Sequence, residues 1–150
     1  MKKVVIALVS IILLAVVLLA FTSRSTWSGG VGSLGSEERH MEQLSKHFLE
    51  DIQFKDFKKA GSYHSREDRK KVDIPVLIER MFAVKPEFLD ILRYEIVKVQ
   101  MDSSGTRCRV KTKSVVKILN TSEIKEPEII LYFFKDPTEG WVMELESSLH

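Results

Sequence analysis

The sequence predicts an α+β domain behind an apolar amino-terminal segment, and three observations support this fold class. An uncharged, almost wholly apolar run occupies residues 4–21. Apolar residues then recur at helical spacings of three and four as far as Phe82. After Leu92 the period falls to two, and β-branched and aromatic residues become frequent. Helices followed by antiparallel strands predict two helices packed on one face of a curved sheet.

Residues 4–21 are predicted to be a transmembrane anchor. At about 1.5 Å per residue the run reaches about 27 Å, close to the thickness of a bilayer's hydrocarbon core. Lys2 and Lys3 precede it and favour a cytoplasmic amino end, so the rest of the chain is expected in the periplasm or another extracytoplasmic space, outside a bacterial inner membrane. The apolar residues of the predicted anchor include Val4, Ile6, Leu8, Ile12, Leu14, Val17, Leu19 and Phe21.

A secretory signal peptide is the alternative, because it also combines a basic start with an apolar stretch. Its apolar region usually covers about 7 to 15 residues and ends at a small-x-small cleavage site. Here the run is longer and ends through Leu18, Leu19 and Ala20, without the first small residue. The sequence therefore favours a retained, single-pass anchor.

The remaining chain divides into a linker over residues 22–36 and a domain over residues 37–150. The linker is rich in Ser and Gly, a composition typical of flexible tethers. Beyond Gly30 acidic and basic residues nearly cancel, which argues against a nucleic-acid-binding domain. The single Cys108 excludes an internal disulfide, so an apolar core must hold the domain together.

Two helices are predicted in the first half of the domain. The first starts at Ser36, a candidate cap, and ends at Gly61, which suits a left-handed terminal position. A polar connection follows it. The second begins near Asp73, with Pro75 in its first turn, and is interrupted by Pro86. Its predicted buried face consists of Ile74, Leu77, Ile78, Met81 and Phe82.

About four antiparallel strands are predicted in the second half. They cover residues 93–101, 106–119, 127–134 and 141–146, and a loop is expected over residues 120–126. The third strand is apolar on both faces, as in a central strand that is covered on each side. The residues predicted to share one face of the second strand are Cys108, Val110, Thr112, Ser114, Val116 and Ile118.

The opposite face of the second strand is a basic row of Arg107, Arg109, Lys111 and Lys113. Such a row is usually solvated, although it also suits an acidic partner or anionic lipid headgroups. Cys108, on the apolar-leaning face, is expected to be a small buried hydrophobe rather than a reactive thiol.

The order of elements resembles the NTF2-like superfamily, whose cone-shaped domains pair amino-terminal helices with a bent antiparallel sheet. The resemblance covers about residues 37–149. It is carried by residues 48–60 as a first helix and by a terminal hairpin that ends in Gly140 and Trp141. The cystatin-like arrangement, with one helix against a sheet, is the alternative and would leave residues 74–82 peripheral.

The resemblance implies either a pocket or an interaction surface, because the superfamily includes enzymes, ligand carriers and assembly domains. Its enzymes use a carboxylate or histidine base in a pocket between helices and sheet. No fixed motif of that chemistry is present in the sequence, so no catalytic residue, cofactor or metal is assigned. The residues predicted to line a pocket or an interface are Tyr63, His64, Tyr94, Tyr132, Phe134 and Trp141.

The histidines give little support for a metal or catalytic site. His40 and His47 are seven residues apart, which separates them by about 10 Å along a helix axis, too far to bind one ion together. Both are expected at the surface. His64 is expected to be a solvated side chain in a charged loop.

The apolar strand with two apolar faces favours an interaction role, since one face must be covered by something other than the helices. The prediction is a non-catalytic, single-pass membrane protein whose exported domain is an assembly module, binding itself or other subunits of a membrane complex. A small-molecule or lipid carrier and an isomerase or cyclase are the alternatives. An open apolar cavity favours a carrier, and a buried acid or histidine in that cavity favours an enzyme.

Overall fold

A computed structural model describes residues 35–145, which form an α+β fold with every helix before the first strand. The helices are α1 (Ser36–Gln53), α2 (Phe57–Gly61) and α3 (Ile74–Phe82), with a 3₁₀ turn at Asp68–Lys70 between α2 and α3. After a 3₁₀ turn at Pro86–Phe88, the strands are β1 (Leu89–Met101), β2 (Arg107–Ile118), β3 (Glu123–Lys125), β4 (Glu128–Asp136) and β5 (Gly140–Met143).

The prediction of one continuous first helix is wrong, because two helices, α1 and α2, occupy that stretch. Lys55 adopts a left-handed conformation with a φ of 59°, which ends α1, and the carboxylate of Asp56 then caps α2. The start of α1 also differs from the prediction. Gly35 rather than Ser36 is the capping residue, and its N–H donates to the carboxylate of Glu38 at 2.7 Å.

Helix α3 matches its prediction. The carboxylate of Asp73 accepts a hydrogen bond from the N–H of Val76 at 3.1 Å, and Pro75 lies in the first turn. The helix ends before Pro86, at Ala83, which is left-handed with a φ of 52°. All of the side chains predicted to be buried are buried: Ile74, Leu77, Ile78, Met81 and Phe82.

The strands form one antiparallel sheet in the order β1-β2-β4-β5, with β3 paired to the end of β2. The prediction of about four strands is therefore corrected to five. The pairing of β4 with β2 extends only to Lys113, which leaves backbone groups of residues 116–118 without that partner. The segment predicted as a loop supplies β3 to pair with them.

Side chains alternate across the sheet, and the helices lie on the inner face. Every inward residue of β2 from Cys108 to Ile118 is buried, as predicted. On β4, Ile129, Leu131 and Phe133 are buried, whereas the outward residues between them are half-buried. The space between α1 and the sheet is filled by side chains that are 0% exposed: Met41, Phe48, Leu49, Val110, Val116, Leu131 and Phe133.

Strand β1 begins earlier than predicted and contains two β-bulges. Its pairing with β2 shifts at Leu92 and again at Val97, so each is an extra residue on β1, and they are 48% and 50% exposed. Each bulge returns the next apolar residue to the inner face. The inward residues, read from their partners on β2, are Leu89, Ile91, Tyr94, Ile96, Val99 and Met101.

The predicted fold class also included a transmembrane helix, and this part is corrected. No helix within residues 35–145 is long and apolar enough to cross a membrane. The architecture that the structure describes in that range is three helices and five strands, and none of these helices is a candidate for the predicted single-pass membrane span. The predicted anchor, residues 4–21, lies outside the described residues.

Candidate functional site

The six residues predicted to line a pocket or an interface are divided among three places in the structure. Two of them point outward from the sheet, one points inward, and three lie near β5. They are Tyr132 and Phe134 on the outer face of β4, Tyr94 on the inner face of β1, and Tyr63, His64 and Trp141 around β5. They do not line one common pocket.

A buried carboxylate on α1 joins this helix to Tyr63. Asp51 is 4% exposed, and its two oxygens accept hydrogen bonds from the Tyr63 hydroxyl and the Lys59 ammonium, both at 2.8 Å. The Tyr63 ring packs edge-on against Phe48, with 5.7 Å between ring centroids. Burial, and then the hydrogen bond to Asp51, raise the pKa of Tyr63 far above its usual range. The phenol is therefore neutral and held in place.

The Asp51 cluster is structural rather than catalytic. Donors already occupy both carboxylate oxygens, and neither Asp51 nor Tyr63 lines any of the cavities described within residues 35–145. A general base needs access to its substrate's proton. Sequence reasoning did not predict this cluster, although the position of Asp51 three residues after Phe48 places it beside the apolar stripe of α1.

His64 is fully buried, so the expectation of a solvated side chain was wrong. Its backbone bridges Met143 of β5, and its carbonyl accepts a hydrogen bond from Nε of Arg69 at 2.8 Å. Neither ring nitrogen has a hydrogen-bond partner within residues 35–145. Burial lowers the pKa of His64, and the backbone of Gly61 and then the Asp68 carboxylate offset only part of this effect. His64 is therefore a neutral core residue.

Stability is expected to fall in mild acid because of His64. The unfolded chain binds a proton near the ordinary pKa of 6.5, whereas the folded state resists protonation. The free energy of unfolding should therefore decrease as the pH drops from about 7 to about 5, before most carboxylates titrate. Urea denaturation at several pH values measures it. The variant His64→Leu should lose this dependence, whereas His47→Leu, at an exposed position, should keep it. An unchanged pH profile in His64→Leu would contradict the assignment.

Trp141 connects the start of α1 to the β4–β5 hairpin. Its indole N–H donates to one oxygen of Glu37 at 2.6 Å, and the Lys135 ammonium donates to the other at 3.0 Å. The same ammonium lies 5.6 Å from the centroid of the Trp141 ring. The hydrogen bond from Trp141, and next that from Lys135, lower the pKa of Glu37. Trp141 thus links two elements of the fold.

The other side chains of residues 35–145 that could bind a metal ion do not lie close together. His40 and His47 are exposed, as expected. No group of three or more His, Cys, Asp or Glu side chains in the described part of the chain is placed to hold a metal ion. Cys108 is buried, as predicted, and burial raises the pKa of its thiol to about 11. That thiol is therefore protonated and unreactive at neutral pH.

The basic row on the outer face of β2 has two unlike halves. Lys111 pairs with Glu128 at 2.6 Å, and Lys113 forms a similar pair with a neighbouring carboxylate. Arg107 and Arg109 are exposed, and no carboxylate of residues 35–145 forms an ion pair with either guanidinium. Positive charge without a partner is therefore concentrated at the hairpin end of β2.

An open cleft of about 630 Å³ lies at these arginines. Gln100, Arg107, Arg109 and Tyr132 line it and point outward by register, and the acidic residues Asp102 and Glu144 also line it. Two planar guanidinium groups beside an aromatic ring suit a carboxylate-bearing or phosphate-bearing group, because a guanidinium binds either in a bidentate manner.

Exposed apolar side chains gather at the opposite end of the sheet. Phe88, Leu119 and Ile124 are 37%, 48% and 58% exposed. The N–H of Leu119 donates to the carbonyl of Phe88 at 2.9 Å, and Ile124 pairs with Lys117, an outward residue of β2. Sequence reasoning missed this group, because its members lie at or beyond strand ends, where alternation gives no signal.

A comparison with protein-family models and with curated proteins finds no match to this chain.

Proposed function

We propose that the described domain is a non-catalytic interaction module that binds an acidic surface of a partner protein through the outer face of its sheet. The observation that carries this proposal is the pair of exposed arginines, Arg107 and Arg109, which have no ion-pair partner among the described residues and border an open cleft. A protein carboxylate would supply the missing charge and the matching geometry.

The interior of the domain supports binding at the surface over carriage of a ligand inside the cone. Leu49, Val110 and Phe133 are all 0% exposed, so the space between α1 and the sheet is occupied by the domain's own side chains. None of the cavities described within residues 35–145 is lined by residues of both α1 and β2. A carrier needs an apolar cavity there.

The exposed apolar group of Phe88, Leu119 and Ile124 extends the proposed surface. Interfaces combine an apolar centre with polar and charged surroundings, and a fully polar face would bind weakly. On this sheet the ion-paired lysines Lys111 and Lys113 separate the arginines from the apolar group. A partner that covers the outer face would therefore meet charge at one end and apolar side chains at the other.

The NTF2-like resemblance and the extracytoplasmic location stay predictions of the sequence. Three helices ahead of an antiparallel sheet are compatible with an NTF2-like domain. In that superfamily a closed, filled cone fits an assembly role better than an enzymatic one.

Charge reversal tests the proposal. The variant Arg107→Glu/Arg109→Glu should lose a protein that co-purifies with the wild type from its native cells in mild detergent, because its glutamates would repel an acidic surface. The variant Lys58→Glu/Arg80→Glu makes the same change of charge at exposed positions on α2 and α3 and should retain that protein. Identical co-purifying proteins for both variants would contradict the proposal. A small molecule retained in native mass spectrometry would favour the carrier alternative.

A further inference from the structure

The two edges of the sheet are built differently. Strand β5 has four residues, and the segment of His64 covers its free side, where the N–H of Met143 donates to the carbonyl of Tyr63 at 2.7 Å. Strand β1 has 13 residues and pairs only with β2. Within residues 35–145, β1 is therefore a long edge without a second strand. Such an edge is a template for pairing with another strand.

The outward residues of β1 alternate in charge. Asp90, Arg93, Glu95 and Lys98 all face outward by their pairing with β2. None of these four side chains forms an ion pair within residues 35–145. Their order along the strand is acid, base, acid, base.

We infer that β1 pairs antiparallel with β1 of a second copy of this chain, about a twofold axis at Tyr94, and so joins two sheets into one. In this register Arg93 of each copy lies opposite Glu95 of the other, and Asp90 lies opposite Lys98. A twofold axis repeats both pairs, so every charge on the edge meets its opposite. Opposite charges directly across antiparallel strands stabilise the pairing, and like charges destabilise it.

The neighbouring registers are disfavoured by the same charges. Moving the axis to Arg93 places two arginines opposite each other, and moving it to Glu95 places two glutamates opposite each other. A shift of the axis by half a residue would bring inward side chains opposite outward ones, which a continuous sheet does not permit. Among these registers the charge pattern therefore favours the axis at Tyr94, where both pairs of opposite charges form between two copies of the same strand.

The two bulges fit this register. One lies on each side of Tyr94, at Leu92 and at Val97, before the outer charge pair is reached. The segments 91–93 and 95–97, which lie between the axis and the outer charge pair, therefore have equal length and contain one bulge each. Leu92 and Val97 are about half exposed in one copy, and the pairing brings both next to the apolar residues Ile96 and Ile91 of the other.

The new ladder of backbone hydrogen bonds is short. The side-chain amide of Gln53 already donates to the carbonyl of Ile91 at 2.6 Å, so this acceptor is occupied. Pairing between the copies therefore centres on the few residues around Tyr94, and the ion pairs supply most of the specificity. The expected dimer is accordingly one of moderate affinity.

Charge exchange on the full-length chain tests the inference. Light scattering across a range of protein concentrations should show a dimer for the wild type. Arg93→Glu and Glu95→Arg should each raise the dimer Kd about tenfold, because each creates two like-charge contacts by symmetry. The double variant Arg93→Glu/Glu95→Arg should recover the wild-type Kd. Arg80→Glu, an exposed charge reversal on α3, is the matched control and should leave the Kd unchanged.

Disulfide trapping reports on the register itself. In the inferred dimer the two Tyr94 Cα atoms face each other at the axis, within the range that a disulfide spans. Tyr94→Cys should therefore form a covalent dimer under mild oxidation, and Val99→Cys should not. A monomer at all concentrations, a Kd unaffected by the exchanges, or equal trapping at both cysteines would overturn the inference.

The inference goes beyond the proposed function, because the edge of β1 is distinct from the outer face at Arg107 and Arg109. The two can fail separately. Loss of the dimer in Arg93→Glu with the partner protein still bound would leave the proposed function standing. Binding of a strand from a different protein to β1, with the isolated chain monomeric, would overturn the dimer.

Discussion

Replacing Phe133 by alanine is expected to lower the free energy of unfolding by about 3–5 kcal/mol, the usual cost of truncating a fully buried aromatic ring. Phe133 is 0% exposed and lies on the inner face of β4, between Cys108 of β2 and Met143 of β5. These two neighbours belong to different strands of a hydrogen-bonded sheet, so they cannot move together to fill the cavity. Urea denaturation followed by circular dichroism measures the loss.

The adjacent Phe134 supplies a matched control. It has the same side chain on the same strand, but it points to the outer face and is only half-buried. Phe134→Ala should therefore cost about 1 kcal/mol. Equal losses for the two variants would show that the assignment of inner and outer faces is wrong. The same variant also tests the proposed outer surface. Replacing a residue that binds a partner should weaken association without a large effect on stability.

Replacing Asp51 by alanine is expected to lower the free energy of unfolding by about 1–3 kcal/mol, because it leaves a half-buried hydroxyl without its acceptor. The Tyr63 hydroxyl donates to Asp51 at 2.8 Å. The same change removes the contact of Lys59, an exposed side chain whose pair with Asp51 is screened by solvent. Most of the loss should therefore come from Tyr63.

A double-mutant cycle with Tyr63→Phe separates the two contributions. The coupling between Asp51→Ala and Tyr63→Phe should be favourable to stability, and additive losses would show that the hydrogen bond contributes nothing. Ultraviolet titration gives a second measurement. The raised pKa of Tyr63 means that its contribution to stability is present below the ordinary value of 10.0 and is lost as the pH rises above it. Removing Asp51 should lower the pKa of Tyr63 towards that value.

Periodicity alone predicted much of the domain. All five of the α3 residues expected to be buried are buried, because a helix of this composition has a single apolar stripe. The alternation in β2 likewise identified its inner face, including Cys108. In both elements burial follows from residues a few positions apart, and such spacing is readable in the sequence.

The errors occurred where a local signal was weaker than a contact with another element. The break between α1 and α2 depends on the left-handed Lys55, a residue type without special preference for that conformation. Strand β3 exists because β4 leaves the end of β2 unpaired. His64 lies in a segment whose many charged residues predict exposure to solvent. The same segment nevertheless packs along the edge of β5.

The candidate sites show the same division. The sequence identified the basic row of β2, but only the structure shows that Lys111 and Lys113 are paired while Arg107 and Arg109 are not. The charge order along β1 is likewise visible in the sequence. Its meaning depends on the two bulges, which place those charges on one face, and on the strand order, which leaves β1 at the edge of the sheet.

The sequence by itself determined the α+β order, the buried stripe of α3 and the inner face of β2, because these depend on interactions within one turn of helix or one strand. The tertiary structure decided the Asp51 cluster, the buried His64 and the link of Glu37 to Trp141. That last hydrogen bond joins residues 104 positions apart. Nothing in the local pattern encodes such a contact, because it exists only after the sheet has brought β5 beside the start of α1.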